Sequence, residues 1–139
     1  MTASPPSDGW PASRPRPDAP TRPVRLLVVR HGETTWNAES RIQGQTDIPL
    51  SPRGEAQASC LRSRLAHELI TTAYASDLQR AWRTAELAVF GRNIPVTRDP
   101  VWRELRFGDW EGLTSAETVA RDPEIAAARR RRPGSVRPP

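Results

Sequence analysis

The pattern of apolar and polar positions predicts strands and helices that alternate along the chain. Residues 24–29 (VRLLVV) form a nearly continuous apolar run, typical of a strand buried on both faces of a parallel sheet. Two shorter segments, residues 72–75 and 94–97, are predicted to be a second and a third strand. Because helical patterns separate the later segments, the sequence indicates an α/β fold with parallel strands.

Capping signals predict where the helices begin and end. Ser51 followed by Pro52 predicts the start of a first helix, with Ser as the N-cap. A second helix is predicted to begin at Ser76 or Asp77 and to end at Gly91. Three later signals are the capping-box pair Thr114 and Glu117, the helix start Asp122-Pro123-Glu124, and a last turn at Arg129 to Arg132.

Composition narrows the class of protein. The 139 residues suffice for one modest domain, and residues 1–23, with seven prolines, are expected to be a disordered leader before a domain at 24–139. All 21 basic residues are arginines against 16 acidic residues, a bias typical of GC-rich coding sequence. The arginine run is therefore interpreted as a helix end, and no nucleic-acid partner is expected. No apolar run is long enough for a transmembrane helix, so no membrane partner is expected either. A single cysteine, Cys60, favours the reducing cytoplasm.

The strongest chemical signal is Arg30-His31-Gly32, directly after the first predicted strand. Ligands of open α/β sheets bind outside the carboxyl ends of the strands. A histidine there can act as a nucleophile or as an acid and base, and a neighbouring arginine offers a planar fork for phosphate. A purely structural role for these three residues is equally consistent with the pattern alone.

Two further groups follow the second and third predicted strands. Arg80 falls in the first turn of a predicted helix, where an anion would gain from both the helix dipole and the guanidinium. Glu104 could act as a proton donor in a pocket that favours its protonated form. The alternative for Glu104 is a surface carboxylate paired with Arg103 or Arg106.

These features together resemble the histidine phosphatase superfamily, which has a phosphoglycerate mutase-like fold. The matching stretches, in the order of the family, are LVVRHGETTWN (27–37), SRIQGQTDIPLSPRGEAQA (40–58), ASDLQRAWRTAE (75–86) and RELRFGDWEGLT (103–114). The resemblance covers residues 24 to about 125. It implies a three-layer α/β/α sandwich with a mostly parallel sheet.

The resemblance also implies roles for individual residues. His31 corresponds to the nucleophile that takes the phosphoryl group, and Arg30 and Arg80 correspond to phosphate-binding arginines. Asn37 matches a loop residue that helps to hold the phosphate, and Glu104 stands where many members place the proton donor. Such chemistry needs a neutral histidine, whose Nδ1 would be fixed by a backbone carbonyl, and it uses no metal and no cofactor.

One element of the family pocket is not found in the sequence. The family uses a second histidine on a later strand, whereas the other histidine here, His67, is predicted to lie inside the helix that starts at Ser51. We therefore expect the C-terminal part of the fold to be missing and the chain to be weakly active or inactive by itself.

The leading hypothesis is a cytoplasmic phosphatase that hydrolyses a small phosphomonoester through a phosphohistidine at His31. The loops at 40–45 and 107–112 are more similar to phosphatase members than to cofactor-dependent mutases. Two alternatives stay open: a phosphoglycerate mutase, and a catalytically incomplete fragment that binds anions. The sequence names neither the substrate nor the oligomeric state.

Overall fold

The structure is a computed structural model, and it describes residues 24–132 and 137–139. The predicted leader at 1–23 lies outside the described residues. The helices and strands, in chain order, are α1 (Thr35–Ala38), α2 (Pro52–Arg64), β1 (Ala73–Ala75), α3 (Gln79–Val89), β2 (Val96–Arg98), α4 (Ser115–Arg121) and α5 (Pro123–Arg131). Two short 3₁₀ turns, Pro100–Trp102 and Gly108–Trp110, lie between β2 and α4.

A parallel pair of strands forms the sheet of the described chain. β1 pairs with β2, with Ala73 opposite Val96 and Ala75 opposite Arg98. Helix α3 connects the two strands, which is the crossover that a parallel pair requires. The predicted second and third strands and the helix between them are thus confirmed, with β2 ending one residue later than expected.

The predicted first strand is wrong for this structure. Residues 24–29 form no ladder with β1 or β2, and their side chains are exposed, with Val24 at 83% and Val28 at 85% of full accessibility. A strand is defined by backbone hydrogen bonds to a neighbour, whereas an apolar run records only a tendency to be buried. The apolar run is therefore typical of a strand in its composition, but it does not identify a neighbouring strand with which residues 24–29 would pair.

The first predicted helix starts as expected. Ser51 Oγ accepts the backbone N–H of Gly54 at 3.0 Å, and Pro52 occupies the first helical position. The helix ends at Arg64, however, so His67 lies in an exposed turn beyond α2 and the expectation that it is helical is wrong. Further along, the capping box of Thr114 and the start of α5 at Pro123 are confirmed.

Helix α3 begins later than the local signal suggested. Its first residue is Gln79, and neither Ser76 nor Asp77 is its N-cap. Ser76 Oγ accepts the N–H of Leu78 at 3.2 Å, which is a tight local turn before the helix. The N–H of Gln79 instead donates to Asp47 Oδ1 at 2.7 Å. The carboxylate at the start of α3 thus comes from a loop 32 residues away in sequence. A local sequence pattern cannot predict such a contact.

The buried core is small and joins α2, α3 and the segments after β2. Trp110 is 3% exposed, and its indole N–H donates to Asp122 Oδ2 at 2.7 Å, which ties the 3₁₀ turn to the start of α5. No helix in the described ranges is long and apolar enough to cross a membrane. The buried apolar residues are Ala58, Ala75, Leu78, Ala88, Val89, Trp110 and Ala126.

We predict that Ser51→Ala lowers the free energy of unfolding by about 1 kcal/mol, the usual effect of losing an N-cap hydroxyl. Ser51 Oγ also donates to Glu33 Oε1 at 3.1 Å, so the variant loses a second bond at the start of α2. Urea denaturation followed by circular dichroism measures the difference. The control is Ser59→Ala on the exposed face of α2, and equal stabilities of the two variants would contradict the prediction.

Candidate active site

The imidazole of His31 is held by its neighbour. Its Nδ1 lies 2.7 Å from the carbonyl oxygen of Gly32. Because a carbonyl can only accept, Nδ1 carries the proton and Nε2 keeps its lone pair. This is the carbonyl contact that the sequence analysis expected to fix the tautomer. The arrangement makes Nε2 the atom that can attack an electrophile.

The surroundings of His31 favour its neutral form. Burial lowers the pKa of the imidazole from its ordinary value of 6.5, and the positive charges of Arg80 and Arg30 lower it further. The bond to Gly32 and the charge of Glu104 act in the opposite direction without reversing the shift. His31 therefore stays neutral, and able to attack, to a lower pH than a free imidazole. Arg30, Arg80 and Glu104 are therefore the charged groups that influence the charge state of the ring.

The hydroxyl of Thr84 joins helix α3 to residues 30–32, which we call the histidine segment. The N–H of Gly32 donates to Thr84 Oγ1 at 3.0 Å, and Thr84 Oγ1 donates to the carbonyl of Arg80 at 2.7 Å. Thr84 is 3% exposed, so no water competes freely for these bonds. No role for Thr84 is predicted from the sequence. Its position one helical turn after Arg80, on the same face of α3, is the signal that could have found it.

Two glycines let the histidine segment approach α2. A Cβ on Gly32 would lie 2.4 Å from the carbonyl oxygen of Gly54, and a Cβ on Gly54 would lie 1.9 Å from the carbonyl oxygen of Glu33. Both distances are far inside van der Waals contact, so any side chain at either position would push the two backbones apart. The Gly of the Arg-His-Gly motif is therefore required by the packing of α2 against it.

Arg80 is a buried cation that is bonded to backbone carbonyls. Its side chain projects from the first turn of α3, and the residue is 3% exposed. The guanidinium donates to the carbonyl oxygens of Gly44 at 2.6 Å and Thr46 at 2.8 Å. Within the described chain no carboxylate lies within 4 Å of it as an ion pair. A buried guanidinium neutralised only from a distance is well suited to receive an anion.

The charge state of Arg80 follows from these surroundings. Burial lowers the pKa of its guanidinium, whereas the negative charges of Asp47, Glu104 and Glu111 raise it. Arginine remains protonated in proteins despite such a shift. Because Asp47 already occupies the start of α3, an anion next to Arg80 would contact the guanidinium and not the helix terminus, which differs from the sequence expectation.

Asn37 belongs to a helix that the sequence analysis described as loop. It closes a capping box at the start of α1: the N–H of Thr34 donates to Asn37 Oδ1 at 3.1 Å, and the N–H of Asn37 donates to Thr34 Oγ1 at 3.1 Å. Because Oδ1 accepts within the cap, the Nδ2 amide is the end of Asn37 that is suited to donate to a phosphate.

Glu104 and Arg30 are both exposed to solvent. Glu104 Oε1 accepts the N–H of Leu105 at 2.8 Å, and the carboxylate makes no ion pair within 4 Å among the described residues. Arg103 is bound by both oxygens of Asp77, with Nε 2.6 Å from Oδ1. The alternative in which Glu104 pairs with Arg103 or Arg106 is therefore not observed.

Comparison with known proteins identifies the family. The model of the histidine phosphatase superfamily (branch 1) matches residues 26–139. The chain is 48% identical over 85 residues to the probable phosphoglycerate mutase GpmB of Cronobacter sakazakii, covering 61% of this chain and 40% of that protein. The alpha-ribazole phosphatase of Shigella flexneri superimposes with a TM-score of 0.72 at 33% identity, covering 79% of this chain and 55% of that one. A mycobacterial glucosyl-3-phosphoglycerate phosphatase, solved with VO₃, gives a TM-score of 0.67 at 38% identity, covering 72% of this chain and 48% of that one.

These likenesses define an α/β protein of the phosphoglycerate mutase-like fold, as the sequence predicted. The chain belongs to the histidine phosphatase superfamily, whose members are phosphatases or mutases. It spans between 40% and 55% of the length of the three relatives.

We predict that Arg80→Gln raises the pKa of His31 towards its ordinary value, because the larger of the two lowering charge effects is removed while burial remains. Titration of the His31 ring by ¹³C–¹H NMR measures this pKa. Arg83→Gln, one turn further on α3 and paired at the surface with Glu55, is the control and should leave the pKa unchanged. An unaltered His31 pKa in Arg80→Gln would show that Arg80 does not face the ring.

Proposed function

We propose that this chain carries the phosphoryl-transfer site of a phosphatase that hydrolyses a small phosphomonoester through a phosphohistidine. The observation that supports this most strongly is the pairing of His31, neutral and with Nε2 free to attack, with the buried guanidinium of Arg80. A neutral nucleophile next to a fixed positive charge is what attack on a phosphate monoester requires. The substrate is proposed to be a small molecule in the cytoplasm, with no nucleic acid or membrane as partner.

The first chemical step is transfer to the histidine. Nε2 of His31 forms a bond to phosphorus as the bond between phosphorus and the ester oxygen breaks. Arg30, Arg80 and the Nδ2 amide of Asn37 are proposed to bind the phosphoryl oxygens and to stabilise the charge that develops on them. Glu104, in its protonated form, donates its proton to the departing oxygen, so that an alcohol leaves.

The second step returns the enzyme to its initial state. A water molecule attacks the phosphohistidine, a phosphorus–oxygen bond forms, and the phosphorus–nitrogen bond breaks. The carboxylate of Glu104 takes a proton from this water and is thereby ready for the next cycle. The products are inorganic phosphate and neutral His31. Splitting one difficult displacement into two easier ones is the advantage of the covalent intermediate.

A mutase is the second candidate, because the Cronobacter sakazakii relative carries the name of a phosphoglycerate mutase. In a mutase the phosphohistidine is transferred to a second hydroxyl group instead of to water. The residues of the loops at 40–45 and 107–112 are more similar to those of phosphatase members than to those of cofactor-dependent mutases, which favours water as the acceptor. A fragment that only binds anions is the third possibility, and it differs from both because it forms no covalent phosphohistidine.

In a catalytically competent form of the protein, we predict that His31→Asn abolishes both hydrolysis of p-nitrophenyl phosphate and the acid-labile phosphate bound to the protein, since His31 is the group proposed to form the covalent intermediate. His67→Asn, in the exposed turn after α2, is the matched control and should keep both. Rapid-quench labelling with a radioactive monoester measures the intermediate. Phosphate binding by the wild type without any acid-labile label would contradict the proposal and support the anion-binding fragment.

We predict that water is the acceptor when 3-phosphoglycerate is offered, so inorganic phosphate appears without a bisphosphorylated primer. Phosphorus NMR of the reaction mixture distinguishes free phosphate from isomerised phosphoglycerate. A mixture in which the isomer forms and free phosphate does not would replace the phosphatase by the mutase.

A further inference from the structure

The carboxylate of Glu111 accepts four hydrogen bonds, three of them from the loop that contacts Arg80. Glu111 Oε1 accepts the N–H of Gln45 at 3.1 Å and that of Phe107 at 3.0 Å. Its Oε2 accepts the N–H of Thr46 at 2.8 Å and also the Thr46 hydroxyl. Glu111 therefore fixes the backbone of the loop at residues 44–46. In the sequence this glutamate lies inside one of the stretches that match the family, and no role is predicted for it.

The opposite side of the same loop faces Arg80. The carbonyl oxygens of Gly44 and Thr46 accept from the two terminal nitrogens of its guanidinium, at 2.6 and 2.8 Å. The loop is thus bonded through its N–H groups to a negative charge and through its carbonyls to a positive one. Peptide dipoles between opposite charges are favourably oriented, so each contact strengthens the other.

The backbone of Gly44 is adapted to this arrangement. Its φ is +53°, in the left-handed region that favours glycine, and a Cβ there would lie 2.2 Å from Glu111 Oε1. A side chain at this position would displace the carboxylate. The close approach of the loop to Glu111 therefore depends on the glycine as well as on the hydrogen bonds.

Glu111 is ionised where it acts. Burial raises the pKa of its carboxyl, but the hydrogen bonds donated by Thr46, Gln45 and Phe107 outweigh burial and hold the pKa below its usual range. Its negative charge in turn favours the protonated form of the Arg80 guanidinium. The two charges are separated by the loop, so Glu111 stabilises Arg80 without occupying the face on which a phosphate would bind.

We propose that Glu111 is a positioning residue, which holds the guanidinium of Arg80 in place for the phosphoryl group by fixing the loop at residues 44–46. The inference rests on the proposed function for the identity of the anion. It rests on the observed contacts for the coupling between Glu111 and Arg80. Glu111 does not itself touch the substrate.

The first test measures binding of inorganic phosphate to the full chain by isothermal titration calorimetry. Glu111→Gln keeps the shape but loses the charge and one acceptor, and we expect about tenfold weaker binding, the scale of one charged hydrogen bond. Glu117→Gln is the matched control, because the Glu117 carboxylate also accepts a backbone N–H, that of Thr114 in the α4 capping box. It should change the affinity less than about twofold.

A double-mutant cycle separates positioning from general damage to the fold. If Glu111 acts through Arg80, Glu111→Gln should have no further effect on phosphate affinity in an Arg80→Lys background, where the planar fork is already lost. An undiminished effect in that background would overturn the inference. Circular dichroism reports whether each variant is folded. Asp47 accepts the N–H of Gln79 at the start of α3, and this bond is expected to hold the loop near α3 when Glu111 is replaced.

A second measurement does not need phosphate. Proton exchange with water at the Arg80 guanidinium, followed by ¹⁵N NMR, should become about tenfold faster in Glu111→Gln and stay unchanged in Glu117→Gln. Thr46→Val, which removes only the hydroxyl contact, should shift exchange in the same direction by less, and it serves if Glu111→Gln does not fold. Unchanged exchange in these variants overturns the positioning role. Absence of phosphate binding by the wild type would overturn the proposed function alone.

Discussion

The buried guanidinium of Arg80 is the constraint on which the arrangement of the site depends. Removing such a charge from water costs several kcal/mol unless hydrogen bonds and opposite charges compensate. Here carbonyl oxygens from the loop at 44–46 supply the bonds, and carboxylates at a distance supply the charge. Because none of these carboxylates contacts the guanidinium directly, the compensation is incomplete. In the proposed function an incoming phosphate completes this compensation, so the cost of burying the guanidinium would favour anion binding.

The same residue fixes the nucleophile through the backbone. Thr84 bonds to the carbonyl of Arg80 on its own helix and to the N–H of Gly32 on the histidine segment. The carbonyl of Gly32 then binds Nδ1 of His31. Side-chain and main-chain bonds thus run continuously from the anion site to the ring, all within buried or half-buried positions. These bonds link Arg80 to His31 directly, in addition to the packing of α3 on the two described strands.

What the sequence could predict was mainly local. The caps at Ser51 and at Thr114 with Glu117 involve partners three residues apart, so their patterns are visible in the chain. The motifs also singled out His31 and Arg80, whose charges influence one another in the structure. The bonds from Gln79 to Asp47, from Gly32 to Thr84 and from Thr46 to Glu111 join residues tens of positions apart, so no local pattern shows that these residues meet. The misassigned strand at 24–29 has the same origin, because strand pairing is a long-range property.

Electrostatics connects the two halves of the proposed reaction. Burial and, after it, the two arginines that are proposed to bind a phosphate lower the pKa of His31, so the proposed anion-binding groups also favour the neutral imidazole that attack requires. A bound phosphate would bring negative charge close to the ring and oppose this effect, thereby favouring a positive imidazole. That is the charge the ring acquires when Nε2 forms its bond to phosphorus while Nδ1 keeps its proton. The Gly32 carbonyl, already bonded to Nδ1, stabilises this positive ring as well. In the proposed reaction the site would therefore favour a neutral histidine before attack and a charged one during transfer, with the same hydrogen bond between Nδ1 and Gly32 in both states.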